Sequence, residues 1–167
     1  MPSKRSIARR VARSAMLGTA LAISCWLRVP IQLPRGRPIR ILIYARYSTD
    51  EQDKSSITDQ VAYCRQFVKA AGIENPEVQI FSDEAESGEH ASRPGSNAAK
   101  RCIEGREVDL VVVEDSSRLF RNLSAFCTFV GKAYDEGVRV ICINDYIDTA
   151  EEEWLSKLHE ARKHHTQ

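Results

Sequence analysis

One serine and four arginines in this 167-residue chain are the residue types that phosphate chemistry requires. Arg46 and Ser48 follow the apolar run Arg40-Ile-Leu-Ile-Tyr-Ala, Arg93 stands just before Pro94, and Arg118 and Arg121 follow Val-Asp-Leu-Val-Val-Val. When a phosphate is attacked, charge spreads over its non-bridging oxygens. Planar, permanently charged guanidiniums hold that geometry through paired hydrogen bonds. A well-placed donor of this kind lowers a barrier by about 2.7–4 kcal/mol. Arg118 and Arg121, three apart at the start of an expected helix, are spaced to face one phosphate. Taken alone, Ser48 is more often a turn residue or helix cap, and two helical arginines are more often solvated. A Ser-His-Asp hydrolase is poorly supported, because His90 is the one histidine in these segments and no G-x-S-x-G elbow surrounds Ser48.

Alternating strands and helices must position these residues. Residues 40–46 form a β-branched strand; 55–72 carry apolar residues at helical spacing and close on Gly72. Residues 77–81 read as a strand, 94–105 as a helix with Pro at its first turn, 108–114 as the clearest strand, 123–137 as a helix and 138–143 as a fourth strand. A Thr149-x-x-Glu152 capping box predicts a last helix running to the C-terminus. The expected fold class is α/β, a mostly parallel sheet of about four to five strands with helices on both faces plus a C-terminal helix. Ligands in such folds collect at the C-terminal ends of the strands. All of the candidate residues fall at those ends.

The net charge of +1 hides a split. Residues 1–40 hold nine Lys/Arg and no acid, whereas residues 41–167 hold 15 basic and 23 acidic residues, a balance of −8. An acidic body repels phosphate on average, so most affinity for a nucleic acid would have to come from elsewhere. Cys25, Cys64, Cys102, Cys127 and Cys142 are dispersed, with no C-x-x-C and no histidine at metal-ligand spacing, and read as small buried hydrophobes in a reducing compartment. No metal is expected. Basic residues followed by the apolar stretch 15–27 imitate a secretory signal. That stretch is short for a membrane span, and no small-x-small cleavage site precedes the fold. Residues 1–38 are therefore read as a basic extension outside the fold, with an arm contacting DNA or membrane as the alternative, and the protein is expected to be cytoplasmic.

Four segments, in order, carry a family resemblance. Tyr44-Ala-Arg-Tyr-Ser-Thr-Asp-Glu-Gln52 resembles the Y-x-R-x-S-T-x-x-Q signature of serine site-specific recombinases of the resolvase/invertase type, with Gln60 where a second glutamine usually follows. Residues 81–88 resemble that family's D-x-x-x-S-G segment, Arg93-Pro-Gly95 its R-P-G, and Ser117-Arg-Leu-Phe-Arg-Asn122 its D-R-L-x-R-N core. The resemblance covers about residues 39–150. It implies that Ser48 attacks the scissile DNA phosphate to give a 5′-phosphoserine and a free 3′-hydroxyl. Arg46, Arg93, Arg118 and Arg121 would bind and polarise that phosphate, with Gln52 as support and no metal or nucleotide cofactor. Asp83, Ser87, Asp115 and Ser117 are supporting candidates. DNA is the implied partner, and homodimers and tetramers the implied assemblies.

Two departures follow from the same comparison. Ser117 stands where the family usually has aspartate, although some transposon-type members also carry serine there. Asp115, two residues earlier, lies on the same face if the strand extends that far and is a substitute for orienting an arginine. Residues 149–167 resemble the start of a long oligomerisation helix that is truncated here, with Trp154, Leu155 and Leu158 as an apolar stripe lacking an obvious partner in the domain. Residues 39–148 are the expected catalytic domain. The alternative is a non-enzymatic recombinase remnant that pairs with or modulates full-length relatives. A nucleotide-binding protein of flavodoxin or response-regulator type lacks support, since no Gly-rich loop follows the first strand.

Overall fold

A computed structural model of the protein describes residues 26–47, 56–84 and 93–164. In chain order the elements are β1 (Arg40–Arg46), α1 (Ile57–Ala70), β2 (Glu77–Asp83), α2 (Pro94–Glu104), β3 (Leu110–Val113), the four-residue α3 (Ser116–Leu119), α4 (Leu123–Asp135), β4 (Arg139–Cys142), β5 (Ile147–Asp148) and α5 (Trp154–His164). The sheet runs β2-β1-β3-β4-β5, parallel throughout except for β5, which pairs antiparallel with β4. This is the α/β architecture that the sequence predicts.

Alternation along the strands sorts the core onto two faces. Ile41, Ile43, Leu110, Val112 and Ile141 meet Cys64, Phe67 and Val68 of α1 on one side. Leu42, Tyr44, Val111, Val113 and Val140 meet α2 and α4 on the other. Because β2 and β3 flank β1 on opposite sides, right-handed crossovers send α1 and α2 to opposite faces. A crevice therefore opens between the C-terminal ends of β1 and β3, the place where open α/β sheets hold their ligands. Cys64, Cys102 and Cys142 are buried and free, as expected. No helix among the described residues is long and apolar enough to cross a membrane.

Three expectations are corrected. Residues 26–38 lie on the fold: Trp26, Leu27 and Ile31 pack against the α1-side core. Arg37 of this segment shares Asp109 with Arg40 of β1, at 2.7 and 3.0 Å. Arg139 in turn donates to the carbonyls of Val29 and Pro30 while paired with the fully buried Asp148. The Arg37 hydrogen bond, reinforced by Arg40, holds the Asp109 carboxyl well below the usual carboxylate range. The second correction concerns Thr149. Its hydroxyl accepts from the Val140 N–H at 2.9 Å and its own N–H donates to the Val140 carbonyl, so it extends the β4 ladder, and α5 begins only at Trp154.

The third concerns the apolar stripe of α5, which does have a partner within the domain. Leu158 is fully buried in the α4-side core and Trp154 packs against it, leaving Leu155 as the exposed member. Truncating a buried leucine costs about 2–5 kcal/mol. Leu158→Ala should lower unfolding stability by that amount in urea denaturation, and Leu155→Ala by less than about 0.5 kcal/mol. Equal, small effects would mean that α5 is not part of the core.

Candidate active site

The last residue of β1 anchors the crevice. Gln60 of α1, fully buried, donates to the Arg46 carbonyl at 3.0 Å and accepts from the Arg46 N–H at 3.1 Å, satisfying both backbone groups of that residue. Nη1 of Arg118 reaches the same carbonyl at 3.5 Å. The Arg46 side chain is itself largely buried; its Nη2 donates to the Ser117 carbonyl at 2.7 Å, and its Nε has no partner among the described residues. Burial lowers the basicity of Arg46, and the nearby charges of Arg93, Arg121 and Arg118 lower it further. Three more guanidiniums therefore stand close enough to be felt at one.

Arg118 differs from the other three. It is 1% exposed, the largest fully buried side chain among the described residues. Its Nε donates to Glu114 at 3.1 Å, and Asp115 lies 3.6 Å from the same nitrogen. An unpaired charge at that depth would be prohibitive, so two carboxylates accompany it. The sequence reading placed Arg118 and Arg121 together on the first turn of one helix. In the structure α3 ends at Leu119, Phe120 is extended, and exposed Arg121 precedes the Asn122 cap of α4. The two arginines reach the region from different backbone segments.

Asp115 was expected to act from an extended strand. Because β3 stops at Val113, Asp115 instead caps α3, accepting from the N–H groups of Ser117 and Arg118 and from the Ser117 hydroxyl. Ser117 thus contributes its carbonyl to Arg46 and its hydroxyl to Asp115. On the other side of β1, Asp83 ends β2 and caps α2, accepting from Gly95 N–H at 2.7 Å and Ser96 N–H at 2.8 Å. It also accepts from the Tyr44 hydroxyl at 2.8 Å, which together with burial pushes the Tyr44 pKa well up. Gly95 must be glycine here, since a Cβ would sit 2.4 Å from the Ser82 carbonyl oxygen. Asp83 so fixes the start of α2, beside which Arg93 extends to the Leu119 carbonyl at 3.5 Å.

Of the residues singled out from sequence, Arg46, Arg93, Arg118, Arg121, Asp83, Asp115 and Ser117 gather at this end of the sheet; Ser48, Gln52 and Ser87 lie outside the described residues. Glu114 was overlooked, although its i,i+4 spacing to Arg118 was readable. Gln60 was read only as a motif position, yet it shares the buried stripe of Cys64, Phe67 and Val68.

Comparison with known proteins decides the family. A model described as "Resolvase, N terminal domain" matches residues 41–163. The chain belongs to the resolvase family of serine recombinases, as its N-terminal catalytic domain. No curated protein matches it significantly. Among solved structures, the N-terminal catalytic domain of TP901-1 integrase is 25% identical, with a TM-score of 0.60 over 77% of this chain and 99% of that one. A resolvase family site-specific recombinase from Streptococcus pneumoniae is also 25% identical, with a TM-score of 0.59 over 77% and 88%. The C-terminal catalytic domain of ISC1926 TnpA, an IS607-like serine recombinase, is 29% identical, with a TM-score of 0.52 over 63% and 70%.

The contrast between buried and exposed arginines is testable in the recombinase domain. Removing one partner of a buried charge group costs about 3–5 kcal/mol. Arg118→Met should therefore destabilise the protein by that amount in urea denaturation, whereas Arg121→Met should cost no more than about 0.5 kcal/mol. Comparable losses would show that Arg118 is not the organising charge.

Proposed function

We propose that this recombinase domain carries out DNA strand exchange through a covalent phosphoserine at Ser48. The Ser48 oxygen bonds to the scissile phosphorus and gives up its proton; the bond from phosphorus to the 3′-oxygen breaks, and that oxygen leaves as a protonated 3′-hydroxyl. A 5′-phosphoserine remains, and attack by a 3′-hydroxyl reverses the step, so religation needs no added energy source. The guanidiniums of Arg46, Arg93 and Arg121 stabilise the charge that builds on the non-bridging oxygens. Arg118, held by its carboxylates, serves mainly to organise the loop and bears on the phosphate at longer range.

The observation that supports this reading most is the crowding of like charge at Arg46. Its basicity is depressed by burial and by neighbouring guanidiniums, and the partner of its Nη2 is a peptide carbonyl, not a carboxylate. A dianionic transition state is the kind of ligand such a cluster favours. Ser48 follows Arg46, whose backbone is clamped by Gln60, by two residues in the sequence. DNA affinity is supplied largely outside the −8 body, and strand exchange takes place between copies assembled on DNA.

Covalent capture tests the reaction. The full chain is incubated at low salt with a pool of nicked duplexes of randomised sequence, and DNA surviving denaturation with the protein is counted. The unaltered chain should yield an adduct, and Ser48→Ala should reduce it to background with folding unchanged. An adduct that persists in Ser48→Ala would remove Ser48 as the nucleophile. No adduct from the folded, unaltered chain would favour a non-enzymatic pairing module.

A further inference from the structure

Building on that reading, we propose that Arg162 is a positioning residue, through which α5 fastens the backbone that carries Arg118 and Arg121. Leu158 seats α5 in the core with no exposed surface, and Arg162 lies one turn further along the same helix face. Its Nη1 donates to the Arg121 carbonyl at 2.7 Å, and its Nη2 donates to the Phe120 carbonyl at 2.5 Å and lies 3.4 Å from the Ser116 carbonyl. The guanidinium also stands 5.9 Å from the Phe126 ring centroid, over the first turns of α4.

The Phe120 N–H closes the last helical bond of α3, to the Ser116 carbonyl, but the carbonyls of extended Phe120 and of Arg121 lie past the end of α3 and before the start of α4, where an outside donor can hold them. A four-residue helix also ends with its carbonyls pointing outward and carrying partial negative charge. A planar guanidinium supplies several donors in one rigid fork, and its charge strengthens each bond. Arg162 thus spans the junction from Ser116 to Arg121 in a way that a single-point donor cannot. The Arg121 carbonyl is held by a residue 41 positions later in the chain. A displacement of about 1 Å in such a group can slow a reaction by about 100-fold.

The test uses the full chain and the variants Arg162→Gln and Arg162→Lys, with two readouts. Hydrogen exchange measured by mass spectrometry reports on residues 116–122, with residues 139–148 as the internal reference. Single-turnover adduct formation on the randomised duplex pool gives the rate at saturation and the DNA concentration for half-saturation. Arg162→Gln should speed exchange at 116–122 at least tenfold relative to the reference. It should slow adduct formation at saturation by about 10- to 100-fold, with half-saturation unchanged, and Arg162→Lys should recover part of both. Unchanged exchange at 116–122 would overturn the proposal, as would faster exchange with an unchanged saturating rate. A loss seen only in half-saturation would overturn it too, making Arg162 a DNA contact. Failure of the unaltered chain to form any adduct would count against the Ser48 reaction, while the exchange comparison would still judge the Arg162 contact by itself.

Discussion

A charged guanidinium buried at the C-terminal edge of the sheet is the constraint on which the rest of this end of the molecule depends. Arg118 cannot remain there alone, and Glu114 and Asp115, the two residues that join β3 to α3, share its charge. That demand shapes the local backbone. Asp115 must lie outside the strand to cap α3, and α3 must be short enough to return the chain toward β1. Another Arg118 donor then falls on the Arg46 carbonyl, which Gln60 also clamps. Strand, helix and loop are joined at a single residue, the last of β1.

The topology makes that junction a natural binding place. β1 and β3 are neighbours whose crossovers diverge to opposite faces, which leaves a crevice at their C-terminal ends. Asp83 and Gly95 fix the entry of α2 on one side, Asp115 fixes α3 on the other, and the arginines extend between them. The same economy of charge operates at the opposite end of the sheet. There Asp109 gathers Arg37 and Arg40, and Asp148 holds Arg139 against the segment before β1. Part of the basic excess in the first forty residues is thus absorbed by the acidic body.

Much of this was legible in the sequence, where the determinants are local. β-Branched runs identified β1 and β3, apolar spacing identified α1 and α4, and Pro94 marked the start of α2. Arg46, Arg93, Arg118 and Arg121 were recognisable because all follow strand ends. The contacts that could not be read are long-range and involve backbone acceptors, which leave no residue-type signature. Arg162 meets carbonyls 41–46 positions away, and Arg139 meets carbonyls about 110 positions earlier. Thr149 looked like a helix cap because its local pattern fits one, but the unpaired edge of β4 competed for its hydroxyl and won. Trp26 and Leu27 looked like part of a tail because the apolar face that receives them is assembled from α1 and the sheet.

The central claim is that the pinned end of β1 delivers Ser48 to a phosphate held by the arginine cluster, and the site of covalent attachment tests it most directly. Trypsin cuts after Arg46 and Lys54, so a trapped adduct digested with trypsin and nuclease isolates residues 47–54 as one peptide. Fragmentation by mass spectrometry should place a nucleotide, linked through its 5′-phosphate, on Ser48 of that peptide. A nucleotide on Thr49, on any residue outside 47–54, or linked through a 3′-phosphate would contradict the account.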